Sequence, residues 1–180
     1  VLLAHGTVSQ LGFLVAVFGI GTDEAISAGT VMLVAHGLFK ASAFFAVGIV
    51  DHQFGTRHVD ELPRLPLFRD RTASGWLLSD RLAVAASASM AGTPLLLGFI
   101  AKEGAIRAVI HDAPPALAAV AVGSALTAGY SYRFAWGILG RDASRPVAVD
   151  PARVPPSRVL VLPPLVLGAL TVVGGVWPAT

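Results

Sequence analysis

Cysteine is absent from the sequence, and charged residues are scarce. Only 13% of the 180 residues are charged, where a soluble domain carries about 25%. The absence of cysteine excludes disulfides, thiolate metal sites and cysteine-ligated iron–sulfur clusters from this chain. The scarcity of charge, together with 54% hydrophobic residues and a mean hydropathy of +0.71, argues against a soluble domain. These features favour a polytopic membrane protein with no redox cofactor of its own.

Motifs for nucleotide or hydrolytic chemistry are also missing. The sequence contains no GxxxxGK, no GxGxxG, and no Ser/His/Asp or zinc-ligand spacing that stands out. The arginines are scattered among loops and the ends of apolar runs, which is typical of membrane helices rather than of a nucleic-acid surface. We therefore expect a transporter subunit rather than an enzyme, without metal, cofactor or nucleic acid.

Long apolar runs dominate the sequence. A bilayer crossing takes about 20 apolar residues, and no alternating strand pattern competes. The runs predict five spans, at residues 1–20, 24–50, 76–111, 116–139 and 159–178. We expect an all-α membrane protein, with residues 1–180 forming one transmembrane region of a larger helix bundle. The sequence starts inside an apolar run without a cleavage signal, so we expect a fragment of a longer subunit.

The polar connections between the spans differ in charge. Connections 51–75 and 140–158 each contain four arginines, whereas residues 19–24 and 111–115 contain no lysine or arginine. Five spans place the two arginine-containing connections on one side. The positive-inside rule predicts that this side is the cytoplasm and that the protein lies in the plasma membrane.

The third span is too long for one straight crossing. Residues 81–107 would extend about 39 Å as a helix, against an apolar core of about 30 Å. Pro94 lies near the middle, where it removes a helix hydrogen bond. The sequence therefore predicts a helix broken near Pro94, and such breaks are a recurrent way to build ion sites.

The only two lysines, Lys40 and Lys102, both lie within apolar spans. A buried lysine can lose its proton where arginine cannot, and placing it there is costly. We therefore interpret Lys40 as a proton-path residue, although a lysine that merely fixes helix packing is the alternative. Lys102 and its neighbour Glu103 are adjacent charged residues, and on a helix their side chains would point in different directions towards different partners. The alternative is that both simply reach water at the end of the span.

His36 precedes Lys40 by four residues, so the two side chains share one helix face. Their proximity favours a proton relay over a packing role for His36. Thr7, Ser9 and Gln10 give the first span a polar face. This face either lines a water path or bonds to neighbouring helices, and the sequence favours neither.

Three segments together resemble a known family. Residues 7–12 (TVSQLG), 35–41 (AHGLFKA) and 92–103 (GTPLLLGFIAKE) are similar to the antiporter-like subunits of the proton-conducting membrane transporter family. That family includes subunit 5 of respiratory complex I and the A subunit of Mrp-type Na+/H+ antiporters. Residues 48–57 (GIVDHQFGTR) resemble the Mrp subunit in particular.

The resemblance implies that His36 and Lys40 lie on a proton-path helix and that Lys102 lies on a broken helix at the end of a half-channel. It implies a subunit of a multisubunit cation/proton antiporter that handles protons and monovalent cations together with other membrane subunits. The alternative is the proton-pumping subunit 5 (or L) of an NADH-quinone oxidoreductase. A membrane scaffold without an ion path is disfavoured, because each buried lysine costs about 2.5 to 3.5 kcal/mol on insertion.

Overall fold

The computed structural model describes residues 2–58, 60–62, 74–139 and 157–177, and all regular structure in these ranges is helical. The helices are α1 (Leu2–Phe18), α2 (Asp23–Phe54), α3 (Ser74–Ala91), α4 (Leu97–Asp112), α5 (Leu117–Ile138) and α6 (Arg158–Val176), with a 3-10 turn at Pro114–Ala116. The predicted all-α class is confirmed.

Four of the five predicted spans each correspond to one helix, and the span 76–111 is divided into α3 and α4. Within the described residues, two helices are long and apolar enough to cross a membrane by length and composition, namely α2 and the segment Val159–Val176 of α6. The helix α1 is apolar but shorter. The number of membrane crossings therefore stays a prediction.

Helix α2 has a defined cap at each end. The Thr22 hydroxyl accepts a hydrogen bond from the backbone N–H of Ala25, and the acidic residues Asp23 and Glu24 follow in the first turn. Carboxylates there are favourable against the helix dipole. At the other end Gly55 adopts a left-handed conformation (φ 68°), and its N–H binds the carbonyl of Asp51. These caps fix a 32-residue helix, about 48 Å long.

Helix α2 is the centre of the bundle and packs against α1, α3, α4 and α6. Six of its thirteen buried residues are glycine, alanine or serine, and such small residues let neighbouring helices approach closely. Gly29 shows this, because a Cβ there would lie 2.8 Å from the ring of Phe18. The main core cluster along this helix contains Met32, Ala35, Phe39, Ala43, Ala46 and Val50.

The helix ends meet in two groups. At one end the Thr22 hydroxyl donates to Asp112 Oδ2, so the start of α2 contacts the end of α4. At the other end Ile49 of α2 packs against Val161 of α6. Phe54, Leu62 and Ile138 are part of the main core cluster near this second end. This arrangement agrees with the predicted alternation of the connections.

Most of the arginines on which the charge asymmetry rests lie outside the described residues. They are Arg64, Arg69, Arg71, Arg141, Arg145 and Arg153. Which end of the bundle faces the cytoplasm stays a prediction.

The predicted break near Pro94 is confirmed. Helix α3 ends at Ala91 and α4 begins at Leu97. Gly92 (φ 85°) and Leu95 (φ 71°) both adopt the left-handed conformation, which L side chains rarely adopt. Proline at 94 prevents the helix from continuing through this segment. The break therefore contains one strained non-glycine residue, Leu95, which is exposed.

The break is stabilised by close packing between the last turn of α3 and the first turn of α4. The Gly98 N–H donates to the hydroxyl of Ser89 at 3.3 Å, which replaces a missing side-chain cap at the start of α4. A Cβ on Gly98 would lie 2.0 Å from the Ser89 carbonyl oxygen. A Cβ on Gly175 of α6 would lie 2.5 Å from the carbonyl oxygen of Leu95. Only glycine fits at these two positions.

We predict that Gly98→Ala destabilises the assembled protein by about 2 kcal/mol or more, because the added methyl group must displace backbone rather than a flexible side chain. The measurement is thermal unfolding of the purified full-length subunit in detergent. Gly104→Ala is the matched control on the same helix, since its Cβ would meet the Ala28 Cβ at an ordinary 3.6 Å. Equal unfolding midpoints for the two variants would contradict the packing described for the break.

Charged side chains at the α2–α4 end form a small network in the polar connection that follows the apolar part of α4. His111 Nδ1 lies 2.8 Å from Asp112 Oδ1, while Asp112 also accepts the Thr22 hydroxyl. The hydrogen bond to Asp112 raises the pKa of His111, with smaller effects from the charges of Asp112 and Glu24. Hydrogen bonds from Thr22 and His111 lower the pKa of Asp112.

The directions of the two pKa shifts limit the contact between His111 and Asp112 to a range of pH. A raised histidine pKa gives stability that is complete below the unfolded value, about 6.5, and lost as pH rises through the folded value. A lowered carboxyl pKa gives stability that is present above the unfolded value and lost as pH falls through the folded one. The contact is therefore strongest at mildly acidic pH.

We predict that His111 titrates above the ordinary histidine value and that Asp112→Asn returns it towards that value, because the largest contribution comes from Asp112. NMR of selectively labelled histidine measures this. Glu24→Gln serves as the control, since Glu24 acts only through its charge and gives a smaller shift. A His111 midpoint that Asp112→Asn does not move would show that the pair is not formed.

Candidate functional site

Lys40 lies in the middle of α2, and its amine is held between α1 and α5. The side chain is 4% exposed. Its Nζ donates to the backbone carbonyl of Leu3 at 3.0 Å and lies 5.0 Å from the centre of the Tyr130 ring, within cation–π range. Within the described residues no carboxylate is paired with Lys40. Two of the three ammonium donors are therefore available to water or to other groups.

Gly6 creates the space for this amine. A Cβ on Gly6 would lie 2.8 Å from Lys40 Nζ and 2.7 Å from Tyr130 Cζ. Any other residue would displace one of these groups. The niche formed by Leu3, Gly6 and Tyr130 around the Lys40 amine is called the Lys40 niche below.

His36 is buried one helical turn before Lys40, as the spacing predicts. Its ring meets the Phe39 ring edge-on, with centres 5.4 Å apart. Its Nδ1 is buried and has no hydrogen-bond partner among the described residues. A packing histidine normally satisfies this atom, so His36 retains a free site for a proton or for water.

Gln10 and Thr127 form the next polar layer. Gln10 follows Gly6 by one turn of α1, and its Nε2 donates to Thr127 Oγ1 at 3.2 Å. Thr127 in turn donates to the carbonyl of Gly123. Gln10 Oε1 is buried without a partner in the described part of the chain. Gln10 therefore bonds to a neighbouring helix, one of the two interpretations left open for the polar face of α1, and a water path along this face stays a prediction.

The other two polar residues of α1 are less central. The Thr7 hydroxyl donates to the carbonyl of Leu3, the same oxygen that accepts from Lys40. Ser9 is exposed on the helix and lines a neighbouring cavity. Thr7 therefore lies beside the Lys40 niche, whereas Ser9 lies in the wall of the cavity.

Lys102 is buried at the break, where it caps the end of α3. Its Nζ donates to the carbonyl of Ala91 at 3.2 Å, one of the carbonyls that the break leaves without a helical partner. The stem of Lys102 passes over Gly92, where a Cβ would lie 3.1 Å from Cδ. Lys102 thus satisfies a carbonyl freed by the break, a connection that sequence spacing alone does not reveal.

Glu103 does not pair with Lys102. It forms an ion pair with Arg107 on the next turn of α4, at 3.0 Å, and both side chains are partly exposed. The expectation that Lys102 and Glu103 face different partners is confirmed. The structure therefore brings Glu103 to the exposed side of α4 and Lys102 to the buried side.

A cavity of about 280 Å³ lies between the Gln10–Thr127 layer and Lys102. Its walls come from α1, α2, α4 and α5, and they are mostly apolar. The polar residues in its wall are Ser9, Gln10, Lys102, Ser124 and Thr127. Gln10 thus lies between the cavity and the Lys40 niche. Counted along α2, the cavity residue Met32 is eight residues from Lys40, about 12 Å by helix rise.

Sequence reasoning missed Gly6, Ser89, Thr127 and Tyr130. Tyr130 is one of only two tyrosines in the chain, and Thr127 precedes it by about one turn. Polar residues that recur on one face of an otherwise apolar helix, such as Thr127 and Ser131, are a signal in the sequence that indicates a functional face of α5. Nothing in the sequence shows that this face meets α1.

The comparison with known proteins agrees with this geometry. A sequence model of the family described as NADH:quinone oxidoreductase/Mrp antiporter, TM matches residues 1–127. The chain belongs to this family. The matched range contains the Lys40 niche residues on α1 and α2, the break, and Lys102. It ends at Thr127, so Tyr130 lies just beyond it.

Several relatives of this membrane-embedded family are named as antiporters. The chain is 37% identical to a protein of Rhizobium meliloti named as the probable A/B subunit of a K(+)/H(+) antiporter, over 94% of this chain and 17% of that protein. It is 31% identical to a protein of Staphylococcus haemolyticus named as the A1 subunit of a Na(+)/H(+) antiporter, over 98% of this chain and 24% of that protein. The chain therefore spans about a fifth of the length of the curated relatives it matches.

A solved structure of the Mrp complex from Dietzia sp. DQ12-45-1b is similar in fold as well. The TM-score is 0.70 and the sequence identity 41%, covering 95% of this chain and 18% of the matched one. The helical arrangement described above is therefore shared with a chain of an Mrp complex, over more of the sequence than the family match, which ends within α5.

We predict that removing one partner of the Gln10–Thr127 hydrogen bond destabilises the protein more than removing both partners does. Thr127→Val keeps the shape but leaves the Gln10 amide buried without its acceptor, which costs about 1 to 3 kcal/mol. The double variant Gln10→Leu with Thr127→Val removes both partners and costs less than Thr127→Val alone. Thermal unfolding of the purified full-length subunit measures both effects. Additive losses in the double variant would mean that the two side chains do not interact.

Proposed function

We propose that this chain is the proton-translocating part of a subunit of a monovalent cation/proton antiporter. The observation that carries the proposal is the pair of buried lysines, each bound to a backbone carbonyl and separated by a buried polar layer with free acceptors. Such residues are expensive in a membrane interior and mark ion or proton pathways.

The proposed path begins at Lys40 and His36 on α2. It continues past the polar layer at Gln10, crosses the cavity and reaches Lys102 at the break. Thr7 and Ser9 line this path, while Glu103 is proposed for its exposed end beside α4. Protons pass by way of waters that bind Gln10 Oε1 and His36 Nδ1. Lys40 is about 12 Å by helix rise from the cavity residue Met32, too far for its amine to exchange a proton with the cavity directly.

Carbonyl partners suit this role. A carboxylate beside a buried lysine would favour the charged form strongly and hold the proton. A neutral carbonyl accepts a hydrogen bond from either the ammonium or the neutral amine. It binds the ammonium more strongly, but it favours the charged form much less than a carboxylate would. Lys40 and Lys102 can therefore gain and lose protons as the charge and hydration around them change.

Other features of the proposal rest on the relatives and on the loop charges. The relatives named as antiporter subunits support a partnership with other subunits of a multisubunit membrane complex, and with protons and Na+ or K+ as transported ions. We place the chain in the plasma membrane as one transmembrane region with five crossings. Connections 51–75 and 140–158 then face the cytoplasm.

We predict that Lys40→Ala in the full complex lowers cation/proton exchange by more than about tenfold, because the proton path loses its central titrating group. Everted vesicles and a pH-sensitive dye measure the exchange when Na+ or K+ is added. Lys102→Ala should have a similar effect.

Arg57→Ala is the control for the loss of a positive charge. Its side chain is 75% exposed and paired with Asp51 at the end of the bundle, away from the path. Complex assembly is checked by the amount of the subunit in the membrane. Normal exchange by Lys40→Ala in a fully assembled complex would overturn the assignment of Lys40.

The second candidate is a proton-pumping subunit of an NADH-quinone oxidoreductase. The family description, which covers NADH:quinone oxidoreductase as well as the Mrp antiporter, is the observation that favours it. The same residues would then carry protons in response to quinone reduction. NADH-driven proton pumping by the purified complex, without exchange of Na+ or K+, would select this candidate.

A further inference from the structure

The aromatic ring of Tyr130 faces the Lys40 amine from the side of α5. Nζ lies 5.0 Å from the ring centre, and the only hydrogen bond of this amine within the described residues goes to the Leu3 carbonyl. The negative face of an aromatic ring attracts an ammonium but not a neutral amine to the same degree. Tyr130 therefore favours the charged over the neutral state of Lys40, in addition to the hydrogen bond that the Leu3 carbonyl accepts.

Tyr130 is fixed in this position by the packing of α5. Its ring is packed against the main core cluster. Thr127, Ser131 and Phe134 on the same helix are buried, which directs this face of α5 into the bundle. Gly6 presses against the phenol end of the ring, because a Cβ at Gly6 would lie within 2.9 Å of Cζ and Cε2. The ring has little freedom to turn away from the amine.

Resting on the proposed function, we infer that Tyr130 is a positioning residue for Lys40. Its ring holds the ammonium in the Lys40 niche and stabilises the proton-loaded state, which keeps this state populated during exchange. Lys40 remains the group that takes and releases the proton. The Leu3 carbonyl fixes where the amine lies, and the Tyr130 ring adds to the stability of the charged form.

The hydroxyl of Tyr130 is a separate feature from its ring. It is buried and has no hydrogen-bond partner among the described residues. Phenylalanine lacks this hydroxyl but keeps the aromatic face, so Tyr130→Phe separates the two. Because the aromatic face rather than the hydroxyl is proposed to stabilise the ammonium, Tyr130→Phe should retain most of the exchange activity, whereas Tyr130→Leu should lose it. Equal loss in both variants would overturn the assignment to the ring.

The decisive experiment replaces Tyr130 with phenylalanine and then with phenylalanines that carry one, two and three ring fluorines. Fluorine withdraws charge from the ring face with little change in shape, so packing alone predicts no trend. We expect the exchange rate of the full complex in vesicles to fall stepwise along the series, by about tenfold in all, as the loss of a desolvated cation–π contact would give. A flat or rising series would overturn the proposal.

Tyr132 is the matched control for this series. It is 65% exposed and stacks on Trp136, two residues along α5 from Tyr130. The same substitutions at Tyr132 should leave the exchange rate unchanged. A failure of this inference is distinguishable from a failure of the proposed function. If Lys40→Ala abolishes exchange while the Tyr130 series is flat, only the role of Tyr130 is wrong, whereas normal exchange in Lys40→Ala rejects both.

Discussion

Two ammonium groups lie inside an apolar helix bundle, and among the described residues each donates to a backbone carbonyl rather than to a carboxylate. Lys40 reaches a carbonyl of α1, and Lys102 reaches the carbonyl that ends α3. The two carbonyls are available for different reasons. The Leu3 carbonyl is approached from the side across the gap at Gly6, whereas the Ala91 carbonyl has lost its helical partner at the break. Each buried lysine therefore depends on a specific irregularity of the helices, a missing side chain in one case and a missing turn in the other.

Glycine at helix contacts makes these irregularities possible. Gly6 admits the Lys40 amine and the Tyr130 ring, while Gly98 lets α4 start against the last turn of α3. Gly175 lets α6 press on the backbone of the break. Apolar attraction between helices is weak in a membrane, so close packing of this kind supplies much of the stability there. The residues that hold the fold together are thus the same ones that shape the sites of Lys40 and Lys102.

The sequence predicted the parts of this arrangement that are local. Apolar runs located the helices because the residues that form a membrane helix are contiguous in the sequence, and Pro94 located the break because its ring acts on its own backbone. The four-residue spacing of His36 and Lys40 predicted their common face for the same reason.

The partners of these residues were not predictable in this way. Tyr130 and Gly6 are far from Lys40 in the chain, and whether α1 and α5 are neighbours depends on how the bundle packs rather than on any periodicity within one helix. The count of five membrane crossings is likewise not decided by the local pattern, since α3 and α4 divide one apolar run between them.

The family description includes an oxidoreductase and an antiporter, and the proposed path is one that could serve both. The Lys40 niche, the Gln10–Thr127 layer and the Lys102 site are built from groups that bind protons or form hydrogen bonds, and the whole chain lacks cysteine. A lysine held by a neutral carbonyl changes its protonation in response to any charge or water brought close to it, whatever event brings it. A carboxylate partner would bind the proton too firmly to allow this, and a fully apolar pocket would exclude it. On the proposed function, the energy source lies in other subunits, and this chain has only to provide the balance that lets each lysine hold a proton and then release it.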